Sequence, residues 1–351
     1  MWNARLRIVS GLLVVSCLAL GGCPPAPPVD GGTTPATTAE LFERVWTDFS
    51  RNYAHFGAKQ VDWDAIKAKY QAEFASELST AEFVQKLAPM LAELKDLNVT
   101  LLDGDGSVVP VYTKAPVRNY PTAYLEALYF PDGLTQLKNY PLRHGWMGKN
   151  IAYVSIEGST GWEGLQASDL DSLVQTYAGA AGLILDIRRA EGSDEAVAKQ
   201  IASHFTAEAR LYGYTRERVV GDDRNAFAAP VAKVLQPASG DVFLKPVILL
   251  IGEKNTADTE WFVLMMLACP TVESGGDHTR GSCAGVKEFS LSNGVKYWIP
   301  TAIATRADGT AIEDTPTQPT VEDLTLPPDV PFDDTQDRLL DRAWLRLTGP
   351  T

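Results

Sequence analysis

Cysteine and histidine are scarce in this 351-residue chain, with four of each. Four cysteines are too few for a disulfide scaffold. His55, His144, His204 and His278 stand far apart with no HExxH or CxxC spacing, so the familiar zinc-enzyme motifs are excluded, and nothing in the sequence calls for a metal or cofactor. Basic residues are short as well: 31 Lys and Arg against 44 Asp and Glu leave a formal charge of −13, and no long basic run offers nucleic acid a counter-surface. Long apolar runs are missing too. The stretch from Ile8 to Leu20 has 13 residues, short of the roughly 20 that cross a bilayer as a helix. What remains is a globular composition, 45% hydrophobic and 21% charged, long enough for one large domain or two small ones.

Arg5 and Arg7 ahead of that apolar run mark residues 1–22 as a signal peptide. It closes on Leu20-Gly21-Gly22-Cys23, similar to a bacterial lipobox, in which the Cys23 thiol carries the lipid and becomes the first mature residue. The expected location is the bacterial cell envelope, lipid-anchored, on a periplasmic or extracellular face. Residues 23–39, rich in Pro, Thr and Gly, bury too little apolar surface to offset their ordering entropy and read as a tether. In that oxidising setting Cys269 and Cys283 either pair or remain two buried thiols; the sequence leaves both open.

From Glu40 the pattern is helical, with Leu41, Phe42, Val45, Trp46 and Phe49 on one face. A second helix is expected over Trp63–Phe74 and a third from the Ser79-Thr80 cap to about Leu94, making residues 40–102 a helical N-terminal unit. Residues 103–148 read as irregular strands and loops. Residues 149–326 alternate buried strands with helices, a βαβα rhythm, with a hairpin from Phe289 to Ile299 turning at Ser292-Asn293-Gly294. Residues 327–351 hold a linker and a last helix capped by Asp334 or Thr335, with Leu339, Leu340, Ala343, Trp344 and Leu347 inward. The tryptophans Trp46, Trp63, Trp261 and Trp344 fall at core spacing.

Several segments in order carry a resemblance. Asn52-Tyr53-Ala54-His55-Phe56 and Val61-Asp62-Trp63-Asp64 come first, then Leu94-Lys95-Asp96-Leu97-Asn98-Val99. Leu183-Ile184-Leu185-Asp186-Ile187-Arg188 and Gly276-Asp277-His278-Thr279-Arg280-Gly281 follow. Together they resemble the tail-specific, or C-terminal-processing, protease family of serine peptidases, in the branch without a PDZ insert that is related to the tricorn core and to interphotoreceptor retinoid-binding repeats. The resemblance implies an α/β (α+β) fold: a central mixed β-sheet with flanking helices, a ClpP/crotonase-like core, preceded by a small helical unit.

It also implies where the chemistry belongs. Such a peptidase needs a serine at a strand-to-helix turn, a base for its proton, and backbone N–H groups facing the oxyanion. The match puts Ala257 at the nucleophile position, or Asp258 if one residue is skipped. It puts Asn98, an amide with no titration near neutrality, at the base position. Ser282 stands where another branch carries a lysine. The oxyanion turn reads Glu191-Gly192 after Arg189-Ala190, and a glutamate there is expected to oppose the anion. Asp186, Arg188, Glu260 and Thr279 are read as structural supports near the cleft. Rival hydroxyls are Thr256, Thr259, Ser193 and Ser282, with His278 as their base or else as a solvated loop residue.

The expectation is therefore a membrane-anchored peptidase fold that has lost its chemistry and binds a polypeptide or protein partner in the former cleft. An active serine-type or threonine-type peptidase with rearranged residues is the alternative, and a small-ligand carrier the third.

Overall fold

The structure, a computed structural model, describes residues 36–121, 126–148, 150–192, 194–325 and 334–349. The expected leader, Cys23, the tether as far as residue 35, and Ser193 lie outside the described residues. No helix among the described residues is long and apolar enough to cross a membrane.

Four helices come first: α1 (Thr38–Asn52), α2 (Phe56–Lys59), α3 (Trp63–Tyr70) and α4 (Thr80–Ala92). α1 begins two residues before Glu40 because Thr37 and Glu40 cap it reciprocally. The Glu40 N–H donates to Thr37 Oγ1 (3.3 Å) and the Thr37 N–H to Glu40 Oε2 (2.8 Å). Residues 37–39 thus belong to the first helix and its cap. Ser79 and Glu82 cap α4 in the same way. Trp46 and Trp63 lock α1 to α3 reciprocally, each indole N–H donating to the other's carbonyl at 3.2 and 3.0 Å.

Two short strands, β1 (Thr100–Leu102) and β2 (Val108–Val109), lead through α5 (Glu126–Tyr129) to β3 (Thr135–Gln136) and β4 (Leu142–Met147). The α/β part follows as β5 (Ile151–Gly158), α6 (Ala167–Thr176), β6 (Gly182–Ala190), α7 (Glu195–Ala202), β7 (Arg210–Glu217) and β8 (Val231–Leu235). It continues with β9 (Val247–Ile251), α8 (Asp258–Leu267), β10 (Val272–Gly276), β11 (Val286–Ser290), β12 (Lys296–Pro300), β13 (Ala302–Arg306) and α9 (Arg338–Thr348).

The central sheet runs β10-β9-β6-β5-β4-β3. Its first four strands are mutually parallel, and β4 and β3 add antiparallel pairs, which makes the sheet mixed. Side chains alternate across it as strand geometry requires. Leu183, Leu185, Ile187, Leu249 and Ile251 face Leu170 of α6, Ile201 of α7 and Phe262 and Met266 of α8. Ile184, Ile248 and Leu250 face Leu340 and Ala343 of α9 on the other side. From Trp261 on, α8 is apolar all round, and it is buried along most of its length because α7 and β7 cover the sides that the main sheet leaves.

Other expected boundaries move as well. β4 lies in the segment read as a connector, yet it pairs with β5 along its whole length. The hairpin β11–β12 joins β1 and β2 in a separate four-stranded sheet, and its Val295, Tyr297 and Ile299 pack among the N-terminal helices. The helical unit is therefore completed by chain from near residue 295. The cap of α9 is Asp337, whose Oδ1 accepts from the Leu340 N–H at 3.1 Å, in place of Asp334 or Thr335.

Candidate active site

The chain leaves β9 through a tight loop, residues 252–257, before α8. Asn255, fully buried, organises it. Its Oδ1 accepts from the Gly252 N–H (2.9 Å), while its Nδ2 donates to the carbonyls of Ile187 (2.7 Å) and Ala190 (3.1 Å) at the end of β6. One amide thus ties the loop to the turn after Arg188. At the start of α8, Ala257 sits at φ 52°, ψ −125°, a conformation that L-residues avoid and that costs of order 1–3 kcal/mol. Its N–H donates to the Ser282 carbonyl at 2.8 Å, which helps to hold it there. This is a sharp, strained strand-to-helix elbow presenting a methyl group.

Asn98 lies in a buried polar cluster. Its Nδ2 donates to Asp96 Oδ1 (3.1 Å) and to Glu313 Oε2 (3.2 Å). Asp96 also takes the Tyr53 hydroxyl (2.8 Å) and faces His55 Nδ1 (3.0 Å), and Lys59 Nζ stands 2.6 Å from Glu313 Oε1. Burial pulls the His55 imidazole down, but the carboxylates of Asp96 and Glu313 outweigh it and raise it above its ordinary value. Burial, with Asp96 close by, pushes Glu313 up to about 7. The cluster reaches the elbow in two links: the Asp314 N–H donates to Gly281 O (2.9 Å), and the next carbonyl, that of Ser282, holds Ala257.

The third part is the turn after β6, which runs on to Ala190, three residues past the expected Ile187. Gly192 has φ +53°, and it lines one small apolar cavity with Thr259, Trp162, Val197, Ile201 and Phe262. Thr259 Oγ1 and Trp162 Nε1 are buried without a partner among the described residues. Glu191 departs from expectation. Its carboxylate is largely exposed and lies 4.0 Å from Lys254 Nζ, so its charge is both screened and offset.

Glu260, fully buried, accepts from Thr279 Oγ1 (2.7 Å) and from the Gly281 and Ser282 N–H groups (2.6 and 3.3 Å). Burial lifts its carboxyl to about 7. The Arg188 guanidinium, 2% exposed, bridges Asp186 (2.7 Å) and Asp337 (2.6 Å), which ties β6 to the cap of α9.

Residues 150–323 match the profile of Peptidase family S41, and residues 34–92 match the Tricorn protease C1 domain. The chain belongs to peptidase family S41. Its fold is that of a candidate peptidase from Parabacteroides merdae ATCC 43184, with a TM-score of 0.78 at 24% identity, covering 90% of this chain and 98% of that one. Mature CPAF gives a TM-score of 0.64 at 11% identity, covering 88% and 97%. A lipoprotein from Streptococcus agalactiae gives 0.56 at 14%, covering 91% and 99%. No curated protein matches.

In this S41 member Ala257 is held by the Ser282 carbonyl, Gly281 by the residue after Glu313, which meets Asn98, and Gly192 shares a cavity with Thr259, two residues past Ala257. The rivals fare differently. Thr256 Oγ1 donates weakly to the Ser282 carbonyl (3.3 Å). His278 meets no hydroxyl among the described residues: its Nδ1 faces the Thr279 carbonyl (2.8 Å) and its Nε2 faces Glu253 (3.3 Å). It is also half-buried, so it is neither a base for a threonine nor a freely solvated loop residue. Asp258 follows the elbow, and burial together with Glu195 and Asp194 pushes it up to about 6. Cys269 and Cys283 are separate buried free thiols.

Sequence reading missed His55, Lys59, Asn255 and Glu313. A buried-strand end followed by Gly-x-x-Asn was a signal for Asn255. For Glu313 no local signal existed, because its partners lie 215 and more positions upstream.

Proposed function

We propose that this chain is a lipid-anchored envelope protein in which an S41 peptidase scaffold, without hydrolytic chemistry, binds extended polypeptides in the former active-site cleft. The observation that carries this reading is Ala257: the strained elbow geometry persists, but the side chain at its apex has no oxygen to attack a carbonyl. Asn98 points the same way. Both of its amide donations go to carboxylates, so it neither accepts a proton nor stands free to do so. Losing either nucleophile or base removes most of a triad's rate, and this chain lacks both.

A peptide needs none of those groups to bind, since main-chain hydrogen bonding and an apolar side-chain slot suffice. We place that slot at the small apolar cavity beside Gly192 and Thr259, which has to widen to admit a side chain. Lipid anchoring rests on Leu20-Gly21-Gly22-Cys23 and accords with the likeness to a streptococcal lipoprotein fold.

The test incubates the full chain with unstructured polypeptides ending in apolar residues. Binding with no cleavage is the expected result. Cleavage that Thr256→Ala or Thr259→Ala abolishes overturns the reading in favour of a rearranged threonine peptidase. Restoring Ala257→Ser with Asn98→His and Glu191→Gly should return measurable hydrolysis; a folded, inert triple variant counts against the assignment of these positions.

A further inference from the structure

A second polar cluster lies on the two loops that follow β9 and β10, and none of the peptidase positions uses it. It consists of Glu253, Asp277 and His278, whose ligand-capable atoms lie within 4.8 Å of one another. From this we infer that the chain binds one first-row divalent cation of the zinc type, through His278 Nε2, Glu253 Oε1 and an Asp277 carboxylate oxygen. The inference stands independently of whether the cleft binds peptides.

The argument starts from the imidazole. His278 Nδ1 lies 2.8 Å from the Thr279 carbonyl, which only accepts, so Nδ1 carries the hydrogen. In the neutral ring Nε2 is then a bare lone pair, yet it faces two more acceptors, Glu253 Oε1 at 3.3 Å and Asp277 Oδ1 at 3.8 Å. With the ring neutral, Nε2, Glu253 Oε1 and Asp277 Oδ1, which also accepts the His278 N–H at 2.7 Å, converge as acceptors, an arrangement that a cation completes. A backbone carbonyl on the far nitrogen is the usual outer-shell partner of a metal-bound histidine.

Spacing and preorganisation agree. Ligands about 2.0–2.1 Å from a tetrahedral zinc stand about 3.3 Å apart, which is the His278–Glu253 separation, while Asp277 Oδ1, 3.8 Å from Nε2, has to move closer on binding. Glu253, 6% exposed, is fixed by its other oxygen, which takes the Val117 N–H (3.0 Å) and Arg280 Nη1 (3.2 Å) and leaves Oε1 to the site. An independent observation sits next to it. Asn119 is 4% exposed, and its Oδ1 has no partner among the described residues, while its Nδ2 donates to the same Ile251 carbonyl that takes the Asp277 N–H. That buried, unpartnered oxygen lies against Gly252, the residue before Glu253. Asp277 and His278 are only partly covered, which gives an ion a way in.

The other such grouping among the described residues, His55, Asp96 and Glu313, is buried at all three positions with Lys59 2.6 Å from Glu313, which leaves an ion no way in. Imidazole with carboxylates suits zinc over magnesium or calcium, which prefer oxygen alone. Bound there, the ion would pin the loop after β10 to the loop after β9, and so hold Arg280 against the Asn255 carbonyl beside the elbow.

The experiment takes the untagged full chain, strips it with a chelator and titrates it calorimetrically with zinc chloride. One zinc per chain with micromolar or tighter affinity is expected, weakened at least tenfold by His278→Gln and by Asp277→Asn, and unchanged by His144→Gln. A hundredfold excess of magnesium or calcium should not displace it. Cobalt loading of the unmutated chain provides a readout that does not depend on a variant folding: d–d absorption without a thiolate charge-transfer band is expected. Absence of saturable zinc binding, wild-type affinity in folded His278→Gln, or a thiolate band would each overturn the inference.

Discussion

Asn98 Nδ2 lies 3.2 Å from Glu313 Oε2, across 215 positions of sequence, and the same nitrogen donates to Asp96. A neutral amide therefore bridges two buried carboxylates. Asn98→Ala removes both donations and leaves the Glu313 oxygen unpaired in the interior, for which about 1–3 kcal/mol of stability is expected to be lost. Urea denaturation at pH 7 measures it. A loss under a few tenths of a kcal/mol would mean the bridge is not formed.

The elbow makes a prediction of opposite sign. Ala257 holds φ 52°, a region where glycine has no Cβ penalty. Ala257→Gly should therefore stabilise the protein by about 1 kcal/mol, the relieved strain exceeding the added freedom of the unfolded chain. Ala257→Val should destabilise it, since a β-branched residue tolerates that region least. Thermal unfolding of the pair decides the matter, and destabilisation by glycine would contradict the geometry.

Stability should fall between about pH 5 and pH 8. Burial raises Glu260 from 4.5 to about 7, so the folded state holds its proton more tightly than the unfolded state does. That contribution is complete below the unfolded value and gone above the folded one. Glu313, raised to about 7, and His55, also raised, act in the same direction. Asp96 and Asp186, both lowered, act the other way but at more acid pH. Glu260→Gln should be near neutral at pH 5 and stabilising by about 2–3 kcal/mol at pH 8, as read from urea midpoints at the two pH values. An equal effect at both would refute the assignment.

Removing Asp337 should be among the severest single changes. It neutralises half of the Arg188 guanidinium and caps α9 with the same carboxylate. Asp337→Ala strands part of a buried cation, for which about 3–5 kcal/mol is typical. Hydrogen exchange should show α9 losing protection first.

Cys269 and Cys283 should resist a thiol reagent in the folded protein and both react after denaturation without reductant. Each is at most 2% exposed, and burial pushes the Cys269 thiol up to about 11 and raises the Cys283 thiol well above its ordinary value. Peptide mapping of the labelled chain assigns the sites; a disulfide-linked peptide would overturn the free-thiol state.

Much of this was written locally. The periodicity of α1, the Ser79–Glu82 cap, the buried runs of β5, β6 and β9 and the Asn293-Gly294 turn each depend on neighbours within a few positions, and each lies close to where the sequence puts it. Ala257 and Asn98 were legible for the same reason, since each sits inside a short motif. By itself, then, the sequence determined most of the elements and the identity of the two residues that the resemblance singled out, Ala257 and Asn98. Only the tertiary structure decided which distant groups meet them. It brought Glu313 to Asn98, Lys254 to Glu191, Asp337 to Arg188, and Glu253 to His278. These are pairings between loops and strand ends. The physical reason is that such contacts are set by how the parallel strands stack and where their carboxyl ends open, and no local propensity encodes that arrangement.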